Sequence, residues 1–410
     1  MNENVQAEMR EATRLVGLGR LLDATATIQR ALAGGEPGAS PAPPAAGQND
    51  PLEGIFSVVE NIVLDAPVPP AETCADDAAA VIVSAPVRPP HVHTECLQRS
   101  PPRSRPEGGD ESVFGARFLA GSYGGAAGTR RYKLYVPSSH SGRELPLLVM
   151  LHGCTQSPDD AAAGTRFNQL AEERGWLVLY PAQDQAANPQ KCWNWFRAGD
   201  QRRERGESAL LAGMTREIMA TYAVDMRRVY AAGLSAGGAM AAVLGATHAD
   251  LFAAIGVHSG LAHRVAHDLP SALAAMRGGV ASKPGAQPSH MTETGAQAPA
   301  LPTIVFHGDR DTTVSPANGE RVIAQCAAAM SAQTPLRVAA IPGQVSGGRS
   351  YTRRVYEDAN GKPLLEHWLI HGAGHAWSGG SPSGSYTDPQ GPAASEEMMR
   401  FFEKHPRVDC

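Results

Sequence analysis

The apolar positions of this chain fall into three regimes. Over residues 4–33 they recur at helical spacing, as Met9, Leu15 and Val16, then Leu21, Leu22, Ile28 and Leu32, with Gly17-Leu18-Gly19 between and Gly34-Gly35 after. That pattern predicts a helical hairpin over 1–34. One hairpin cannot bury its own apolar face, so it needs another surface to dock on. Over 35–112 the pattern gives way to Pro, Ala, Gly, Ser and Asp, with runs such as Pro41-Ala42-Pro43-Pro44, Pro67-Val68-Pro69-Pro70 and Pro101-Pro102. Proline runs cannot enter helix or sheet interiors, which predicts a mostly disordered linker with one apolar island at 55–64.

The third regime, over 113–405, alternates short apolar runs with amphipathic stretches. Strands are predicted at 132–137, 145–151, 176–180, 252–258, 302–307 and 364–371, and in the short apolar run that begins at Val229. The run 145–151 is continuously apolar, as befits a strand buried on both faces of a parallel sheet. Helices are predicted at 161–174, 207–221, 236–246, 316–330 and 393–404, the second with Leu210, Leu211, Met214 and Ile218 on its apolar face. Residues 278–300 read as a low-complexity surface loop or lid. Strands alternating with helices imply an α/β fold with a mostly parallel central sheet.

Composition narrows the class. The chain has 410 residues, enough for one large domain and accessory segments. Its net charge of −5 gives no reason to expect nucleic acid or an anionic membrane as partner. No window approaches about twenty uninterrupted apolar residues, so no membrane span is expected. Glu3, Glu8, Arg10, Glu11 and Arg14 stand where a secretory signal needs an apolar core. The expected location is therefore the cytoplasm, with reduced thiols. The six cysteines contain no Cys-x-x-Cys pair, which argues against a zinc site. Cys154 with Cys192 is the one pairing left open.

The candidate chemistry starts at Gly233-Leu234-Ser235-Ala236-Gly237. An apolar strand, a Gly-x-Ser-x-Gly turn and a helix-favouring run form the context of a nucleophile elbow, which exposes the serine on a strained turn. Serine needs a general base, usually a histidine oriented by a carboxylate. An acid and a base follow in the order Ser, Asp, His, each on a loop after a late strand. Strand 302–307 leads into Asp309 and Asp311, and strand 364–371 leads into His375. Asp311 lies deeper in its loop and is preferred over Asp309. His375 follows a Gly-Ala-Gly loop, whereas His258, His367 and His371 lie in or at the ends of strands and read as structural. The oxyanion donors are expected to be the backbone N–H groups of Ala236 and Cys154. His152 then belongs to the loop's framework. Trp193, Trp195 and Trp377 are candidates to line the acyl pocket, with Trp193 and Trp377 carried as tentative substrate contacts.

Four motifs together resemble the esterases of the poly(3-hydroxybutyrate) depolymerase family, relatives of feruloyl and acetylxylan esterases. They are His152-Gly153-Cys154-Thr155-Gln156, Cys192-Trp193-Asn194-Trp195-Phe196, the elbow through Met240, and Gly374-His375-Ala376-Trp377-Ser378-Gly379-Gly380. The resemblance covers roughly residues 113–403. It implies an α/β-hydrolase fold and the triad Ser235, Asp311 and His375, in agreement with the residues read alone. It also implies a polyester or small ester as substrate, a storage-granule surface as a possible partner, and no metal or organic cofactor. A feruloyl or acetyl carbohydrate esterase is the alternative. An inactive granule-binding scaffold is the rival from another class.

Overall fold

A computed structural model describes residues 115–278, 300–331 and 335–407. The hairpin expected over 1–34, the linker over 35–112 and nearly all of the loop at 278–300 lie outside the described residues.

One ten-stranded sheet organises the described residues. Its centre is parallel and built from β3 (Leu145–Leu151), β4 (Leu177–Pro181), β5 (Val224–Leu234), β6 (Ala254–His258), β7 (Thr303–Gly308) and β10 (Pro363–Ile370). Antiparallel edges flank it: β1 (Arg117–Gly125) with β2 (Gly128–Val136) on one side, β9 (Ser350–Glu357) with β8 (Arg337–Gln344) on the other. The spatial order is β1-β2-β4-β3-β5-β6-β7-β10-β9-β8.

Both faces of the sheet are covered, which explains why the central strands carry unbroken apolar runs. Successive strand residues point to opposite faces. Leu147, Val149 and Leu151 of β3 therefore join one core with Leu210, Leu211 and Met214 of α3 (Gly206–Thr221), Met240 of α4 (Ala236–Thr247) and Val322 of α6 (Ala317–Ser331). Leu148 and Met150 join the other, with Phe167 of α2 (Phe167–Arg174) and Met398, Phe401 and Phe402 of α7 (Ala394–Glu403). The mostly parallel α/β sheet expected from the pattern is observed, in the α/β-hydrolase arrangement that the resemblance implies.

Several elements differ from the expectation, each for a local reason. The single helix expected at 161–174 is two, α1 (Pro158–Thr165) and α2, because Arg166 adopts a left-handed backbone with φ 61°. Its N–H bonds to Ala162 O and closes α1. A short helix, α5 (Leu269–Met276), carries a capping box at Asp268 and Ser271 that was not read from the sequence. The edge strands β1, β8 and β9 were also not expected. Almost every residue of β8 is exposed, so it has no buried face to impose a period-two pattern.

Chain order decides where a site can form. β4 lies on one side of β3, and β5 returns on the other, so helices leave the sheet in opposite directions between β3 and β5. Crevices at the carboxyl ends of strands open at such a switch point. The loops after β3, β5, β7 and β10 all end there.

Candidate active site

Ser235 sits between β5 and α4 with φ 57° and ψ −120°, a conformation L residues rarely adopt. Two glycines make that turn possible. A Cβ at Gly233 would come within 2.3 Å of the Gly237 carbonyl carbon, and one at Gly237 within 2.1 Å of Leu151 O. The strand, the helix and the end of β3 therefore approach more closely than any side chain allows. The Ser235 N–H is held by His258 O at 2.9 Å.

The loop after β3 lies against the serine: a Cβ at Gly153 would stand 3.6 Å from Ser235 Cβ. Several ties hold this loop. Gly153 N–H donates to Gln156 Oε1 at 2.8 Å, and Trp193 Nε1 donates to His152 O at 3.1 Å. The His152 ring is satisfied on both sides, Nδ1 meeting Gly153 O at 2.7 Å and Nε2 accepting Gln183 N–H at 3.1 Å. Burial lowers the His152 pKa to about 4, so the ring is neutral near pH 7 and serves the loop's framework, as expected. A disulfide joins Cys154 to Cys192, answering the pairing that the sequence left open. Among the described residues the N–H groups of Cys154 and Ala236 donate to no protein acceptor.

The second motif thus acts as a buttress for the first. Cys192 and Trp193 grip the loop after β3, while Asn194 anchors them to buried Glu207. The Asn194 N–H and Nδ2 donate to Glu207 at 2.6 and 2.9 Å, and Gln183 Nε2 joins the same carboxylate at 2.5 Å. Burial pushes the Glu207 carboxyl up, against these hydrogen bonds. Sequence reading missed Gln183 and Glu207, since neither falls in a motif and α3 reads as a plain amphipathic helix.

His375 and Asp311 come together from the loops after β10 and β7. His375 Nδ1 lies 2.7 Å from Asp311 Oδ2, and Asp311 Oδ1 accepts the N–H groups of Thr313 and Val314 at 3.0 and 2.8 Å. Asp309 turns away to His371, whose Nδ1 is 2.9 Å from its Oδ2. His258 spans the two halves of the site. Its carbonyl holds Ser235, and its Nε2 accepts Ser378 N–H at 3.0 Å, three residues beyond His375. Burial keeps His258 well below the usual histidine range and therefore neutral. Among the described residues the Ser235 hydroxyl makes no hydrogen bond, and its contact with His375 is not formed. Catalytic contacts of this kind commonly tighten only when substrate binds.

The two tentative substrate contacts are core residues instead. Trp193 is fully buried with its N–H on His152 O. Trp377 is 1% exposed, stacks on His258 at 5.0 Å and donates to Ser395 Oγ at 3.0 Å. Neither ring has a face or edge left for a ligand, and Trp195 is buried too. Indoles are bulky and apolar, so their spacing alone could not separate core from pocket. Among the described residues no group of three or more His, Cys, Asp or Glu side chains is arranged to hold a metal ion.

Burial alone would raise the Asp311 carboxyl. Hydrogen bonds from His307 and His375 outweigh it and leave the group well below the usual carboxylate range. A depressed folded-state pKa contributes stability that is fully present above the unfolded value of about 3.9 and is lost as pH falls through the folded value. Urea midpoints measured from pH 6 down to pH 3 test this. The stability gap between the wild type and Asp311→Asn is expected to hold steady down to about pH 4 and to narrow below it. A gap independent of pH would contradict the assignment.

The fold is that of the α/β-hydrolase class. The resemblance to the poly(3-hydroxybutyrate) depolymerase family stands: residues 130–332 match the family described as Esterase PHB depolymerase. The chain is 34% identical over 257 residues to poly(3-hydroxyalkanoate) depolymerase C of Paucimonas lemoignei, covering 62% of this chain and 60% of that protein. It is 25% identical over 291 residues to feruloyl esterase B of Neurospora crassa, covering 66% of this chain and 87% of that one. Among solved structures, an acetyl xylan esterase from Aspergillus awamori superposes with a TM-score of 0.53 at 18% identity, over 70% of this chain and 99% of that one. That likeness shows the shared fold. Among the described residues no helix is long and apolar enough to cross a membrane.

Proposed function

We propose that this chain is a serine esterase that cleaves 3-hydroxyalkanoate esters through an acyl-enzyme. The observation that carries the reading is the 2.7 Å His375–Asp311 bond, formed past the carboxyl ends of the parallel strands where the strained turn bearing Ser235 also lies. Ser235 Oγ attacks the ester carbonyl while His375 takes its proton, and Asp311 holds the imidazole in the right tautomer and stabilises the imidazolium. The oxyanion is held by the N–H groups of Cys154 and Ala236, which have no other acceptor among the described residues. His375 then protonates the departing alcohol, and water repeats the sequence to release the acid. No step calls on a metal or an organic cofactor.

The depolymerase relatives favour a polyester or its oligomers as substrate, and the feruloyl and acetylxylan esterase relatives favour a carbohydrate ester as the second reading. Hydrolysis of amorphous poly(3-hydroxybutyrate) granules beside a feruloyl ester and an acetylated sugar separates them. Release of 3-hydroxybutyrate oligomers, with the other two slow, is the expected result; faster turnover of either other ester overturns the substrate. The rival scaffold reading predicts no labelling of Ser235 by a fluorophosphonate probe.

The Cys154–Cys192 disulfide bears on location. Such bonds persist in oxidising compartments and are rare in the cytosol. It favours an oxidising compartment over the cytoplasm expected from the N-terminal residues, and so weighs against an intracellular granule as the place of action.

A further inference from the structure

Asp311 is shared between two histidines, and only one of them belongs to the proposed triad. His307, the penultimate residue of β7, is fully buried. Its Nε2 lies 2.8 Å from Val314 O and 3.3 Å from Asp311 Oδ2, the same oxygen that receives His375 Nδ1. We propose that His307 is a positioning residue for ester hydrolysis, holding the Asp311 carboxylate by a second N–H so that its Oδ2 faces His375. This rests on the triad reading given above.

The atoms facing the ring decide its tautomer. A carbonyl oxygen and a carboxylate oxygen are acceptors only, so Nε2 must carry the proton. Nδ1 is then bare, and it is buried with no partner among the described residues. A Cβ at Gly319 of α6 would stand 2.9 Å from His307 Nδ1 and 3.2 Å from His367 Nε2, so the helix backbone closes over both rings. The titratable groups facing His307 are Asp311 and His375 in the loops, His258 on β6 and His367 on β10. Burial lowers His367 to about 3 and holds His258 well below its usual range, so neither brings a charge near pH 7.

A second N–H donor facing Oδ2 has two effects on the chemistry. It fixes the rotation of the carboxylate, which otherwise depends on His375 and two backbone N–H groups. It also drains negative charge from the oxygen that faces His375, so the general base is less readily protonated before substrate arrives and passes its proton on more easily. This second effect distinguishes a positioning role from simple packing.

The test compares His307→Phe, which keeps a ring but loses the donor, with His307→Gln, which restores an N–H at nearly the same reach. For His307→Phe, kcat on a soluble 3-hydroxybutyrate oligomer is expected to fall roughly 10- to 100-fold with KM little changed, the scale of one hydrogen bond to a charged group. The acid limb of the kcat/KM profile is expected to move to higher pH, since that limb reports protonation of the base. His307→Gln should return most of kcat and move the limb back. A folded His307→Phe with wild-type kcat and an unmoved limb would overturn the inference. Should that variant fail to fold, nitrogen NMR of 15N-histidine-labelled wild-type protein decides. A proton on Nε2 supports the proposal, and a ring protonated on Nδ1 alone sinks it. Ser235→Ala is run in parallel: retained turnover there overturns the triad and this inference with it, whereas loss of turnover there with an unaffected His307→Phe overturns the role of His307 alone.

Discussion

Replacing Ser235 with alanine is expected to lower ester turnover by about 10⁴-fold or more, because nucleophile, base and acid act as a unit and loss of the nucleophile forfeits the whole covalent route. Binding should survive, since the oxyanion donors at Cys154 and Ala236 are backbone groups that the substitution leaves in place. The fold should survive as well. Ser235 makes no side-chain hydrogen bond among the described residues, and its backbone is held by His258 O. Alanine at φ 57° is no worse placed than serine, as both carry a Cβ. Steady-state kinetics with a soluble ester, read beside a thermal melt, check both halves. Turnover within tenfold of wild type in a folded variant would remove Ser235 from the mechanism.

Gly237→Ala is expected to damage both the fold and the site. The new methyl would stand 2.1 Å from Leu151 O and 2.6 Å from His152 O, both backbone atoms that cannot swing aside. Overpacking in a core costs roughly 1–3 kcal/mol where side chains can yield, and here the end of β3 itself must retreat. That retreat carries the loop with Cys154 away from Ser235. A displacement of about 1 Å at a reacting centre can cost roughly 100-fold in rate, so turnover should fall at least that far even in protein that folds. Gly374→Ala is the control, because a Cβ there meets nothing within 4 Å. Its melting temperature should stay close to wild type while that of Gly237→Ala drops by several degrees. Equal melting temperatures would mean that the elbow and β3 are less tightly apposed than the distances indicate.

Much of the proposed catalytic arrangement was legible because it is written locally. A Gly-x-Ser-x-Gly turn between a strand and a helix, an aspartate just past β7 and a histidine just past β10 are short-range features, and a parallel sheet gathers strand ends on one side. The preference for Asp311 over Asp309 could be argued from loop depth, and Asp311 is the one bonded to His375. Other parts were not legible for equally physical reasons. Trp193 and Trp377 stand in catalytic-looking motifs, yet which way an indole points depends on what packs over it. The exposed strand β8 has no buried side to leave a pattern.

The sequence by itself determined the alternation of strands and helices, the elbow, and the order of serine, aspartate and histidine. Each of these depends on side-chain period, turn chemistry or the position of a residue at the end of an apolar run, and all are set within a few neighbours along the chain. Only the tertiary structure decided what holds that chemistry in place. Cys154 meets Cys192 across 38 residues, Asn194 and Gln183 converge on Glu207, and His307 of β7 shares an oxygen with His375, which follows the neighbouring strand β10. Those contacts follow from strand register and from helices closing over the sheet, and a buried polar group declares its role only once the partners that satisfy it are in view.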